Sequence, residues 1–417
     1  MNWIETILHE VEHVETPQAF VRWSLFSAIS AVVSPNVSLN KQGAYDLYPN
    51  VYVMLLADSG IGKGFGVWLS KALVSAVDTT RVFAGRNSIQ KIVTDLSLAY
   101  TRGKGKEMIK DARAFLASGE FVNFLLRDEQ GISILTEWYD THYVKEWTNS
   151  LKSSGTEKLS GINITLLGAS NPDYLRESVP VAAIRGGFFG RLMLIHASEK
   201  GKVNALIDDI DENRKVSERK VKEWSKHLID LSKIEPGSQF SVDNLAREFY
   251  RPWYYDLQEK IRKGQILDKT GYIHRMHDHS LKIAMVISLS EDAELVLRKA
   301  HVEEGIQLAE SLLSTIKKTT IGIGLSAYAP KNEAFMRSLF KAPDQTMTRQ
   351  KVLSLNHSEF DSLDLDKMTL TLEDAGFIKS QKEGKDLQYT LTLQGRKQFL
   401  DIQSELKRKR KDATRSN

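Results

Sequence analysis

The chain has 417 residues, too many for one hydrophobic core, so two or three domains are expected. With 41% hydrophobic and 26% charged residues, its composition is that of a globular protein and not of a disordered one. It contains no cysteine, which excludes disulfides, thiolate zinc sites and a cysteine nucleophile and points to the cytoplasm, and a net charge of +4 is too small to argue nucleic-acid binding for the whole chain.

Residues 1–45 carry helical periodicity. Trp3, Ile4, Ile7, Leu8, Val11 and Val14 recur at three- and four-residue steps and 20–33 continues apolar, which predicts a helical N-terminal segment packed on a sheet. The first residues show no basic stretch followed by an apolar run, and no segment approaches about 18 apolar residues, so neither export nor a membrane span is expected. His9-Glu-Val-Glu-His13 fits H-E-x-x-H, a pattern that on a helix sets two imidazoles on one face for zinc with Glu10 as the base. No third ligand is evident, and short matches of this kind are common.

An apolar strand at 51–56 then runs into Ala57-Asp-Ser-Gly-Ile-Gly-Lys-Gly64 and a helix from 63 to 74. Holding a phosphate requires backbone N–H groups that converge on an anion, and glycines permit the necessary turn and close approach. Ser59, Gly60, Ile61 and Gly62 supply that turn, Lys63 reaches the β- and γ-phosphates, and the positive helix start faces the same charge. ATP is the expected ligand, with Mg²⁺. The match to G-x-x-x-x-G-K-[ST] departs at both ends, since Ala57 replaces the first glycine and Gly64 replaces the hydroxyl residue that touches the metal.

Strands at 51–56, 81–84, 122–126, 162–167 and 192–196 alternate with helices. This predicts a three-layer α/β core of P-loop type over 46–198, with a mostly parallel sheet. Hydrolysis also needs a metal carboxylate and a group that orients water. Asp128 and Glu129, after the strand at 122–126, fit those two roles; a second placement, Leu116-Ala-Ser-Gly-Glu120, lacks the adjacent Asp and ranks behind. Asn171, at the carboxyl edge of a later strand, suits the lytic water or the γ-phosphate, and an Asx-Pro turn into a helix at 173–178 explains it equally. Arg185 and Arg191 flank a glycine-rich turn, where an arginine can neutralise transition-state charge on a neighbouring subunit's ATP; surface or ion-paired arginines are the alternative.

Residues 199–222 read as a charged connection and 242–317 as helical. His274, His277 and His279 are near enough in sequence to gather a metal, but satisfied or exposed histidines near a lid are the better reading. From 326 the pattern becomes three short helices followed by two strands around Glu383-Gly-Lys-Asp386, which suggests a winged helix. Its recognition helix, at 359–375, carries Glu359, Asp361, Asp364, Asp366, Glu373 and Asp374, which repel DNA, so protein docking stays open beside DNA contacts through Lys379, Lys382 and Lys385. The tail Lys407-Arg-Lys-Arg-Lys411 is a basic run suited to phosphates.

Taken together, Pro49-Asn-Val-Tyr-Val53, Ser59-Gly-Ile-Gly-Lys-Gly64, Asp128-Glu129 followed by Gly131, Leu167-Gly-Ala-Ser-Asn-Pro172 and Gly186-Gly-Phe-Phe-Gly-Arg191 resemble the phage- and plasmid-encoded P-loop ATPases related to primase-helicase proteins. The resemblance covers roughly residues 15–290. It implies an AAA-plus or RecA-like motor in which Lys63 holds phosphates, Asp128 and Glu129 handle metal and water, Asn171 is the sensor and Arg191 the intersubunit finger. It further implies that the helix around 272–284 belongs to a lid, with Arg275 or Lys282 on the γ-phosphate, although a plain amphipathic core helix explains Ile273, Met276, Leu281 and Ile283 equally well. The implied function is an ATP-driven DNA-replication protein, most concretely a ring-forming helicase of several subunits that works on DNA with other replication proteins. A helicase loader, an origin-binding initiator and a nucleotide-gated scaffold of little turnover are the alternatives.

Overall fold

Five aliphatic strands pair into one all-parallel sheet: β1 (Tyr52–Leu56), β2 (Arg81–Ala84), β3 (Arg113–Ser118), β4 (Asn163–Ser170) and β5 (Leu192–His196), in the order β5-β1-β4-β3-β2. Every residue of β1, β3 and β4 is buried, as a parallel sheet covered on both faces requires. The structure is a computed structural model that describes residues 2–41, 43–85, 87–102, 108–121, 129–140, 146–151, 155–178, 187–203, 216–266, 268, 270–320, 329–383, 386–397 and 399–400.

Strand order decides where a ligand can sit. From β1 the chain travels past β4 and β3 to β2, whereas from β4 it travels back across β1 to β5. Right-handed crossovers place those two connections on opposite faces, which opens a crevice between the carboxyl ends of β1 and β4. Between β2 and β4 the sheet holds Arg113–Ser118, a run not among the expected strands, and the strand expected at 122–126 lies outside the described residues.

The helices of the N-terminal part are α1 (Trp3–Glu10), α2 (Gln18–Val33), α3 (Lys63–Val74), α4 (Ile89–Ser97), α5 (Glu129–Tyr139), α6 (Pro172–Ser178), α7 (Glu218–Leu231), α8 (Asn244–Arg262), α9 (Tyr272–Glu291) and α10 (Lys299–Thr320). As the N-terminal periodicity predicts, α2 packs on the sheet, against β1 and β4, and all but three of its 16 residues are buried. Its serines make that burial affordable by hydrogen bonding: Ser24 and Ser27 donate to carbonyls one turn back, and Ser30 donates to Pro49 O at 2.6 Å. Where α2 meets α3, Gly66 leaves no room for a side chain, since a Cβ there would stand 2.6 Å from Ser24 Oγ. Two strands that the periodicity does not reveal, Val37–Lys41 and Tyr45–Leu47, follow α2.

The helix expected around 272–284 is α9. Fifteen of the 20 residues of α9 are buried, and α9 packs on α10 and α2 as part of the main core. Residues Met1–Ile323 accordingly form one unit and Gly324–Asn417 a second. The second unit runs α11 (Ala329–Lys341), β6 (Thr346–Thr348), α12 (Arg349–Asn356), α13 (Ser362–Asp374), β7 (Ile378–Glu383) and β8 (Asp386–Leu391). Its antiparallel sheet has the order β6-β8-β7, closed over a core that includes Phe335, Leu339, Val352, Leu365 and Tyr389. Among the described residues, no helix is long and apolar enough to cross a membrane.

Candidate nucleotide site

The loop from β1 to α3 opens at the mouth of the crevice. Gly60 has φ +88° and Gly62, the N-cap of α3, has φ +89°, values that side-chain-bearing residues rarely adopt. Behind the loop, Thr16 Oγ1 donates to Gly62 O at 2.8 Å, and a Cβ on Gly62 would meet Thr16 Oγ1 at 3.0 Å. In front it is open: a Cβ on Gly60 or Gly64 would meet nothing within 4 Å. The loop is thus braced on one side and clear on the side where an anion would enter. No acidic residue stands in the first turn of α3 to oppose one.

Lys63, the first residue of α3, folds back over the loop, and Nζ donates to Ala57 O at 2.5 Å and to Asp58 O at 2.8 Å. Burial lowers its pKa, while Asp58 acts in the opposite direction. A phosphate oxygen arriving in the loop would compete with those two carbonyls for a charge-assisted bond.

Asn171 stands at the end of β4 beside this loop and makes the Asx turn into α6. Its Oδ1 accepts from the N–H groups of Asp173 (2.8 Å) and Tyr174 (3.4 Å), capping α6. That fixes the amide so that Nδ2 donates to Asp58 Oδ1 at 3.1 Å across the crevice. At the end of β3 lie Ser118 and Glu120, with Glu120 N donating to Ser118 Oγ at 3.3 Å, so the second-ranked placement is the one on a sheet strand. Glu129 opens α5, and Asp128 lies outside the described residues. Asp58 and Thr16 were missed; Asp58 sits inside the motif itself, whereas nothing in the sequence links Thr16 to it.

Arg191 and Arg275 stand at the other edge of the sheet. Leu192 pairs with Tyr52 and His196 with Leu56, so Arg191 precedes the amino end of β5, roughly 15 Å of strand from the phosphate loop. Its side chain is 9% exposed and is engaged within its own chain, donating to Asp140 and to Gly187 O at 2.9 Å. An arginine offered to a second subunit's nucleotide would have to abandon both partners. Arg275 Nη1 joins the same Asp140 at 3.3 Å, and Lys282 Nζ donates to Asn50 O (2.9 Å) and Asn50 Oδ1 (2.7 Å), which removes both from the γ-phosphate of this chain. Arg185 lies outside the described residues.

Arg275 and Lys282 border a small recess lined by Tyr48, Asn50, Tyr139 and Asp140 among others. Burial, reinforced by Arg275 and Arg191, pulls Lys282 down to about 7 against the pull of Asp140 and Asp278. Its ammonium lies 4.0 Å from the centre of the Tyr139 ring. Burial favours ionisable Asp278 as the acid, but His277 and Lys41 outweigh it and hold the carboxyl below its ordinary range.

The histidine motifs do not form metal sites. The helix holding His9 ends at Glu10, so His9 and His13 share no helical face. His279 uses both ring nitrogens, with Nε2 2.9 Å from Gly190 O and Nδ1 3.2 Å from the Tyr139 hydroxyl, and burial drops its pKa to about 3. Among the described residues, no group of three His, Asp or Glu is placed to hold a metal ion. A comparison with protein-family models gives no match, and a comparison with curated protein sequences gives none either.

Proposed function

We propose that the chain binds ATP in the crevice between β1 and β4 and hydrolyses it to do work on DNA. The observation that carries the nucleotide half is the strand, glycine loop and helix at the topological switch point, with Asn171 of the adjacent strand bonded to Asp58 of the loop. In this reading the N–H groups of residues 60–64 and Lys63 hold the phosphates, and Asn171 orients the attacking water. Glu120 is the carboxylate on the neighbouring strand best placed to accept that water's proton, with Glu129 its rival. With no hydroxyl at Gly64, Asp58 and Asp128 are the carboxylates that would hold Mg²⁺, which would supply charge neutralisation on the phosphoryl oxygens.

The DNA half rests on the order helix, strand, helix, helix, hairpin in the second unit, which is that of a winged helix, and on the resemblance to primase-helicase ATPases. Two of the acidic groups on α13 are neutralised, Asp364 by Lys331 and Asp366 by Arg349, each at 2.5 Å, and Lys379 and Lys382 are exposed on β7. A ring-forming helicase is the concrete form of this proposal. Exposed Leu363 and Leu370 on α13 favour protein docking for that helix, as a loader or initiator would use, and Gly64 favours a slow nucleotide-gated scaffold. Steady-state ATPase with and without single-stranded DNA separates these readings: turnover stimulated by DNA supports the motor, and turnover absent from wild type at saturating ATP overturns it.

A further inference from the structure

Helix α8 is out of keeping with the rest of the first unit. Only Ala246 and Leu257 of its 19 residues are buried, yet it carries Phe249, Tyr250, Trp253, Tyr254 and Tyr255. Arg251, Tyr255, Gln258 and Arg262 are spaced by four, three and four residues and therefore share one face. Arg251, Tyr255 and Arg262 are exposed, Tyr255 to 68%.

The Tyr255 ring is held from beneath. Tyr254 meets it edge-on with ring centres 5.8 Å apart, and Tyr254 in turn stacks on Tyr250 at 6.0 Å and meets His277 of α9 edge-on at 5.5 Å. Tyr250 is pinned by its hydroxyl, which donates to His277 O at 3.2 Å. Charge along the helix is also one-sided. Lys260 pairs with Asp256 and Lys263 with Glu259, at 2.6 and 2.7 Å, and Glu310 of α10 accepts from Trp253 Nε1 at 2.7 Å. What remains between 244 and 263 is Arg247, Arg251 and Arg262 against the single carboxylate Glu248.

An exposed, braced aromatic ring between guanidinium groups is the arrangement that stacks a base while neutralising the phosphates on either side. We propose that this face of α8 binds single-stranded DNA, stacking a base on Tyr255 with Arg251 and Arg262 on the flanking phosphates. The proposal rests on the DNA reading above and names the surface that contacts the strand. Duplex DNA keeps its bases inside the stack and cannot offer one to Tyr255.

The test is fluorescence anisotropy of the full chain with a labelled oligothymidylate and with a duplex of equal length, across a salt series. Tyr255→Ala should weaken oligothymidylate binding about tenfold, Tyr255→Phe should restore it, and duplex binding should not change. Arg251→Gln with Arg262→Gln should lower the salt slope by about 0.7 per lost contact. Wild-type thermal melting and DNA-free ATPase in these variants exclude unfolding. Equal affinity of wild type and Tyr255→Ala for oligothymidylate overturns the inference and leaves the motor reading standing. Oligothymidylate binding that depends on Tyr255 in a chain without ATPase activity upholds the inference and removes the motor.

Discussion

At Lys63 a single amine is shared between two carbonyls of its own loop, and the proposed ligand must draw it away from both. Lys63→Ala should abolish ATP binding while leaving the thermal midpoint within a few degrees, because the side chain is only partly buried and anchors no core contact; ATP titration followed by fluorescence or calorimetry decides it, and retained affinity sinks the loop assignment. Thr16 acts through the loop without touching a nucleotide. Losing its bond to Gly62 in Thr16→Val should cost about 1 kcal/mol, seen as a several-fold rise in KM for ATP at nearly constant kcat, with Thr16→Ser close to wild type. Lys282 gives a pH prediction. Its folded pKa of about 7 lies below the ordinary 10.5, so between those values the unfolded chain binds more protons and stability rises with pH. The slope should reach at most about 1.4 kcal/mol per pH unit and flatten below pH 7, where the amine is protonated in both states. Denaturant melts of wild type and Lys282→Met from pH 6 to 9 measure this, and parallel curves for the two chains would show that Lys282 does not titrate there.

Among the elements, β3 and α5 are the two candidates to deliver the carboxylate of the proposed hydrolysis. β3 ends at the crevice in the sheet, pairing with β4 from Arg113 opposite Asn163 to Ser118 opposite Gly168, so its end is fixed by a ladder of hydrogen bonds. Glu120→Gln should therefore lower kcat by two orders of magnitude or more with nucleotide binding kept, and Glu129→Gln should have the smaller effect. Single-turnover ATPase on the two variants ranks them, and the reverse order would return the role to Glu129. At the other edge, Asp140 ties η-nitrogens of Arg191 on the approach to β5 and Arg275 on α9 to the end of α5. Arg191→Ala should destabilise the first unit by about 2 kcal/mol by removing a buried arginine from a half-buried carboxylate that keeps Arg275, and mixing it with wild-type chains should lower ATPase only in proportion. Poisoning beyond proportion would restore its role between subunits.

For the whole molecule, two hydrophobic cores and a division between Ile323 and Gly324 predict two separable folding units. Residues 1–323 expressed alone should melt cooperatively and bind ATP with the affinity of the full chain. A fragment that aggregates or loses ATP would show that the first unit depends on the second.

What the sequence determined by itself was local. The loop from Ala57 to Gly64, its flanking strand and helix, and the strands at 81–84 and 192–196 were legible because positive-φ glycines, a helix start and short apolar runs act over a few residues. The strand at 113–118 was not legible because 122–126 is as apolar, and in a sheet buried on both faces no alternation marks which run is paired. The periodicity of α9 announced a helix but not its surroundings, which are α2 and α10. Only the tertiary structure set Thr16 behind Gly62, Asn171 against Asp58, and Arg191 and Arg275 on Asp140 at the edge away from the loop. Those contacts join residues 46 to 135 positions apart, and strand order, which no local pattern encodes, is what brings them together.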